Sequence, residues 1–131
     1  MSLTVGIHHL GLTVSKLEET ASFFIHALEF TLVKRDKNYP SIFVTDGTNM
    51  VTLWQANGDS AVEFDRKKNV GLHHVAFTVA SLGDLAQAFA QAANHPGVTV
   101  EFSPELLRGG PAQHCMLLDP SGIRVELIFA G

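Results

Sequence analysis

Apolar and polar positions alternate with period two over residues 7–14, and the β-branched and apolar residues there predict a strand. The period then changes. Leu17, Ala21, Phe24 and Leu28 recur at helical spacing, so residues 17–28 are expected as a helix, with Ser15 available to cap its start. Three short strands are expected at 31–35, 41–45 and 50–55, the last two separated by the turn Asp46-Gly47-Thr48-Asn49. Residues 57–70 are polar and charged and read as a linker. The same order then returns: a strand at 73–79, a helix at 82–94 stopped by Pro96 and Gly97, and strands at 98–102, 114–118 and 124–129. Asp119-Pro120-Ser121-Gly122 forms the last turn, with Pro where φ must be near −65° and Gly where it can be positive. The stretch 103–113, containing Arg108-Gly109-Gly110-Pro111, is longer than its counterpart and is a candidate lid.

The repetition extends to the residues themselves. Gly6-Ile7-His8-His9-Leu10-Gly11-Leu12-Thr13-Val14 reads like Gly71-Leu72-His73-His74-Val75-Ala76-Phe77-Thr78-Val79, and Leu17, Ala21 and Phe24 match Leu82, Ala86 and Phe89. The expectation is an α+β chain of two βαβββ modules, about 4–56 and 71–131, forming one domain of 131 residues.

Composition narrows the class. The chain is 46% apolar and 17% charged with a net charge of −4, and Arg66-Lys67-Lys68 is its only basic cluster. That triplet reads as a solvated loop, so no nucleic-acid partner is expected. A single cysteine, Cys115, excludes an internal disulfide and fits a reducing compartment. No apolar run has membrane-spanning length and no signal peptide is evident, so a cytoplasmic location without membrane association is expected.

Strand parity sorts the candidate chemistry. Leu10, Leu12 and Val14 share a face with His8, while His9, Gly11 and Thr13 occupy the other; the second copy sorts identically. The small and polar face suits a cavity, which places His9 and His74 there and His8 and His73 toward the helices. In the last strand Arg124, Glu126 and Ile128 face away from the packing residues Val125, Leu127 and Phe129. A carboxylate within a terminal strand needs a partner or a cation, so Glu126 is the third candidate ligand, with Arg124 or Arg108 as alternative ionic partners. Its symmetry mate is Thr52. Two imidazoles and a carboxylate with open positions suit Fe(II) or Mn(II), and would also hold Zn(II), Ni(II) or Co(II). Thr13, Thr52, Trp54, Met116 and Arg124 are candidate pocket residues. Thr52 and His114 are the candidates for a catalytic role, and Phe43 and Trp54 read as pocket wall or core. His26 and His95 are expected at the surface, and Cys115 as a core thiol.

The strand beginning at His9, its repeat at His74, and the ending Asp119-Pro-Ser-Gly-Ile-Arg-Val-Glu126-Leu resemble the vicinal oxygen chelate superfamily, which includes glyoxalase I, extradiol dioxygenases, fosfomycin-resistance transferases and bleomycin-resistance proteins. The resemblance covers nearly the whole chain. It implies paired βαβββ modules around an open-barrel cleft, metal ligands at His9, His74 and Glu126 with a fourth position at Thr52, and a homodimer in which modules of different chains can share a site. Glyoxalase I has Glu at the place of Thr52, which counts against that activity. Extradiol dioxygenases use the His-His-Glu set alone, which counts for them, although they place a Tyr where this chain has Met116. The fosfomycin enzymes carry a Thr at the place of Gly11. The expected function is a divalent-metal enzyme acting on vicinal oxygens of a small substrate, with extradiol-type dioxygenation slightly ahead. The alternatives are a glyoxalase-like lyase or isomerase, or a metal-free binding protein of the drug-resistance type.

Overall fold

The computed structural model describes residues 1–58 and 61–131, so residues 59 and 60 of the expected linker lie outside the described residues. The chain runs β1 (His9–Val14), α1 (Leu17–Ser22) continued by a π-helical turn (Phe23–Ala27), β2 (Thr31–Asp36), β3 (Ser41–Thr45) and β4 (Met50–Gln55). It then repeats as β5 (Val75–Thr78), α2 (Leu82–Ala93), β6 (Thr99–Leu106), β7 (Gln113–Leu118) and β8 (Arg124–Phe129). The βαβββ order expected from the sequence is therefore present twice.

Each module makes its own four-stranded mixed sheet, ordered β1-β4-β3-β2 and β5-β8-β7-β6. The first and last strands of a module run parallel, and the others pair antiparallel as hairpins. Neither sheet closes on itself. The register aligns Gly11 with Thr52 and Thr52 with Phe43; in the second module it aligns Ala76 with Glu126 and Glu126 with Met116. Thr52 and Glu126 thus occupy equivalent places, as strand parity requires.

The helix-side faces carry the core. Leu12, Val14, Ile42, Val44, Val51 and Leu53 from the first sheet join Leu117, Val125 and Leu127 from the second in one buried cluster. Phe24 and Phe30 meet Phe77 edge-to-face at 6.0 and 5.6 Å, so aromatic packing crosses between the modules. Polar contacts reinforce that seam. The Thr20 and Ser121 hydroxyls stand 2.6 Å apart, Ser22 Oγ meets His95 Nε2 at 3.1 Å, and Gln91 Nε2 donates to the Ala27 carbonyl at 2.7 Å. His95, expected at the surface, is instead half-buried in this seam, with its ring against Phe23.

Three local expectations are corrected. Ser15 makes no cap; Gln55 Oε1, far along the chain, accepts the Leu17 N–H at 3.1 Å. The first helix does not stay α-helical to residue 28, because a widened turn buries the adjacent Phe23 and Phe24 together with Ala27. Strand β6 continues to Leu106, which shortens the candidate lid to residues 107–112. Ser81, by contrast, caps α2 by accepting the Asp84 N–H at 3.0 Å. No helix among the described residues is long and apolar enough to cross a membrane.

Candidate metal and substrate site

The faces opposite the core are open. In β1, His9, Gly11 and Thr13 are exposed while Leu12 and Val14 are buried; in β5, Ala76 and Thr78 are exposed. Parity thus puts the expected cavity residues on solvent-facing sheet surfaces of this chain.

On the second sheet Glu126 is 8% exposed and bonded on both oxygens. His114 Nδ1 stands 2.6 Å from Oε2, and His74 Nε2 stands 3.2 Å from Oε1. His114 reaches it from β7, two residues before Met116, and packs against Phe102 at 4.9 Å. The Arg partners considered from the sequence do not serve Glu126. Arg124 pairs with Glu101 at 2.7 Å instead, a contact that holds the Glu101 carboxyl below its usual range. Met116 is buried beside Glu126 in the register.

The histidine doublets repeat one geometry. His8 and His9 join through their Nδ1 atoms at 2.9 Å, and His73 and His74 do so at 2.8 Å, with ring centroids 5.1 Å apart in both pairs. Parity placed His8 and His73 toward the helices; both are exposed, and each ring turns onto its neighbour. The second doublet has one more contact. Arg124 Nη1, which can only donate, reaches His73 Nδ1 at 3.2 Å. His74 Nδ1 shares that nitrogen at 2.8 Å, and one ring lone pair does not satisfy two donors at once. On its other side His74 turns Nε2 to Glu126 Oε1. A proton on Nε2, or a cation between the two atoms, satisfies that contact. Two donor atoms bound at right angles to one ion, each at about 2.1 Å, stand about 3 Å apart, so the spacing fits shared metal ligation.

His9 is not part of this group. Its side chain bonds His8, and among the described residues no three His, Cys, Asp or Glu side chains are placed to hold one ion. One chain thus brings together His74, Glu126 and His114, and leaves His9 on the open face of the other module. The pairing of His114 with Glu126 was open to the sequence only as shared strand parity with Met116.

At the fourth position Thr52 is buried and fully engaged. Its hydroxyl accepts the Trp54 Nε1–H at 2.9 Å and donates to the Leu10 carbonyl at 3.5 Å. The Trp54 indole leans over Gly11, where a Cβ would stand 3.3 Å from Thr52 Oγ1 and 3.6 Å from Trp54 Nε1. Thr13 is exposed beside Trp54 in the register. Cys115 is fully buried and burial pushes its thiol up to about 11, which makes it a core residue rather than a nucleophile.

The sequence matches the family described as the Glyoxalase/Bleomycin resistance protein/Dioxygenase superfamily over residues 6–127, and the chain belongs to that superfamily. Solved structures share its fold. A glyoxylase/bleomycin resistance protein/dioxygenase domain from Frankia sp. EAN1pec is 22% identical, with a TM-score of 0.81 covering 98% of this chain and 99% of that one. The lactoylglutathione lyase of Agrobacterium tumefaciens is 17% identical, with a TM-score of 0.73 over 98% and 96% of the two chains. The fosfomycin resistance protein FosX of Listeria monocytogenes is 18% identical, with a TM-score of 0.74 over 98% and 96%. Among curated proteins no relative matches the sequence.

Proposed function

We propose that this protein is a divalent-metal-dependent enzyme that binds two neighbouring oxygens of a small substrate, its metal held by His74 and Glu126 of one chain and His9 of a second copy. The observation that carries the reading is the approach of His74 Nε2 to Glu126 Oε1 at 3.2 Å on one open sheet face. Fe(II) or Mn(II) suits the two-imidazole, one-carboxylate donor set, with Zn(II), Ni(II) or Co(II) as further candidates. Bound there, such an ion supplies Lewis acidity toward the substrate oxygens.

The residues of the chain divide the remaining work. His114 donates from Nδ1 to Glu126 Oε2 and so turns Oε1 toward the His74 side. His73, beside Arg124, meets His74 at Nδ1 and leaves its Nε2 facing the site. Thr52, bonded on both sides, has no carboxylate to shuttle a proton between adjacent carbons. That supports extradiol-type dioxygenation over a glyoxalase-like lyase or isomerase reaction. The second reading, a metal-free binding protein, is favoured by the same contact if a proton rather than a cation fills it.

The test is elemental analysis of anaerobically purified protein beside His74→Ala. About one equivalent of Fe or Mn per chain, lost in the variant, supports the proposal and directs assays to oxygen consumption with catechols. Zn, Ni or Co lost in the same way moves the reading to lyase or isomerase chemistry. No metal in either protein leaves the binding reading in its place.

A further inference from the structure

Symmetry between the modules is broken most clearly on their open faces. Where the second sheet places Glu126, Met116, His114 and Phe102, the register of the first places Thr52, Phe43, Ser41 and Lys34. One face concentrates ligand chemistry and the other replaces it with rings. Trp54 is met edge-to-face by Tyr39 at 5.0 Å and by Phe43 at 5.6 Å. Tyr39 is 60% exposed, and Phe43 and Trp54 are each half-buried, so this cluster faces solvent in the chain. Large aromatic side chains gathered on an exposed sheet face mark a binding surface rather than a core.

The Trp54 indole is fixed for that role. Its N–H is bound by Thr52, and Gly11 leaves the room its ring occupies. Gly11 lies two residues along β1 from His9, about 7 Å by strand geometry, so the ring wall adjoins the expected ligand. A cation closes the wall. Lys34 Nζ stands 4.8 Å from the Phe43 ring centre and joins no salt bridge among the described residues. Its neighbour Arg35 is paired with Glu18 at 2.8 Å. Asp36, on the same face as Lys34, uses Oδ1 to accept the Asn38 N–H.

From this juxtaposition we infer that the Tyr39–Phe43–Trp54 wall with Lys34 is a subsite for a planar aromatic ring bearing an acidic substituent. The ring lies against Trp54 and the anionic group reaches the Lys34 ammonium. The inference rests on the proposed reading of these open sheet faces as the substrate site, and it names the class of substrate.

Trp54 is the only tryptophan of the chain, so its fluorescence reports on this wall directly. The experiment is a titration of the full-length protein in EDTA with benzoate, neutral benzamide and non-aromatic cyclohexanecarboxylate. Benzoate is expected to quench saturably, roughly fivefold tighter than benzamide, the worth of one favourable exposed ion pair; cyclohexanecarboxylate is expected to give no saturable change. Lys34→Gln, an exposed substitution that leaves the core untouched, is expected to bring benzoate to the benzamide level, and Tyr39→Leu to weaken both aromatics alike. No saturable response to benzoate, or an undiminished preference for it in Lys34→Gln, overturns the assignment. A response that vanishes as protein concentration rises overturns it in favour of a second copy covering the wall. Because metal is absent throughout, these outcomes are independent of whether the ligand set binds an ion.

Discussion

Asp119 opens the last turn, and its two carboxylate oxygens have opposite situations. Oδ1 accepts the N–H groups of Ser121 and Ile123, each at 2.9 Å, whereas Oδ2 is buried without a partner among the described residues. Burial outweighs the backbone donors and pushes the carboxyl up to about 6 from 3.8. The folded state therefore holds this proton more tightly than the unfolded chain. Its contribution to stability is full below pH 4, declines as pH rises through the window between 3.8 and about 6, and is gone above it, a change of roughly 3 kcal/mol. Asp119→Asn keeps an oxygen for the two N–H donors and cannot ionise. Urea unfolding at a series of pH values should show wild-type stability falling relative to the variant across that window; parallel profiles would count against the assignment. The sequence made the turn legible, since Asp, Pro and Gly each have a local reason to be there. The orphaned oxygen was not legible, because burial is a property of what packs on the turn. Glu126 teaches the same lesson: its parity and its need for a partner followed from the strand pattern, but the choice of His114 over Arg124 depends on which strand lies alongside.

The segment after β1 shows how far periodicity reaches among the elements. Spacing at 17, 21, 24 and 28 located the helix correctly at its start. Beyond Ser22 the chain widens, and the Leu28 N–H reaches back five residues to the Phe23 carbonyl at 3.3 Å. Glu29 then takes φ of 61° to end the segment, and Gln91 from the other module caps Ala27. A period of 3.6 residues cannot anticipate a turn set by a partner module, and the long-range cap of Leu17 by Gln55 is invisible for the same reason. The widened turn places Phe24, fully buried, against both Phe30 and Phe77. Phe24→Ala should lower unfolding free energy by about 3–5 kcal/mol, the range for losing a buried phenyl ring. Because the ring joins both modules, they should unfold together. Phe77→Ala, in the second module, should shift the transition reported by Trp54 in the first, coincident with that seen by circular dichroism. A Trp54 transition unmoved by Phe77→Ala would mean that the modules melt separately.

For the molecule as a whole, the duplication explains why the core and the proposed site lie on opposite sides of the same sheets. Each sheet has one apolar face, and the two modules of a chain bury those faces through α1, its π turn and α2. That leaves His9 on one open face and His74 with Glu126 on the other, each lacking what the other carries. A twofold pair of chains would set the first module of each against the second module of its partner and create two equal sites, since closed symmetry makes every such contact occur twice. The arrangement has a quantitative signature in mixed dimers. His9→Ala removes one ligand and Glu126→Ala another, and each variant alone should retain almost no metal. A mixed dimer holds one site with both substitutions and one with neither. After equal mixing and subunit exchange, half of the dimers are mixed and half of their sites are intact, so metal content should recover to about a quarter of the wild-type value. If all three ligands came from a single chain, every chain in the mixture would still lack one, and mixing would restore nothing. Sequential affinity purification on two different tags separates that outcome from a failure to exchange, because only a mixed dimer carries both. Recovery to a quarter would show that the two halves of the repeated sequence meet across an interface between copies.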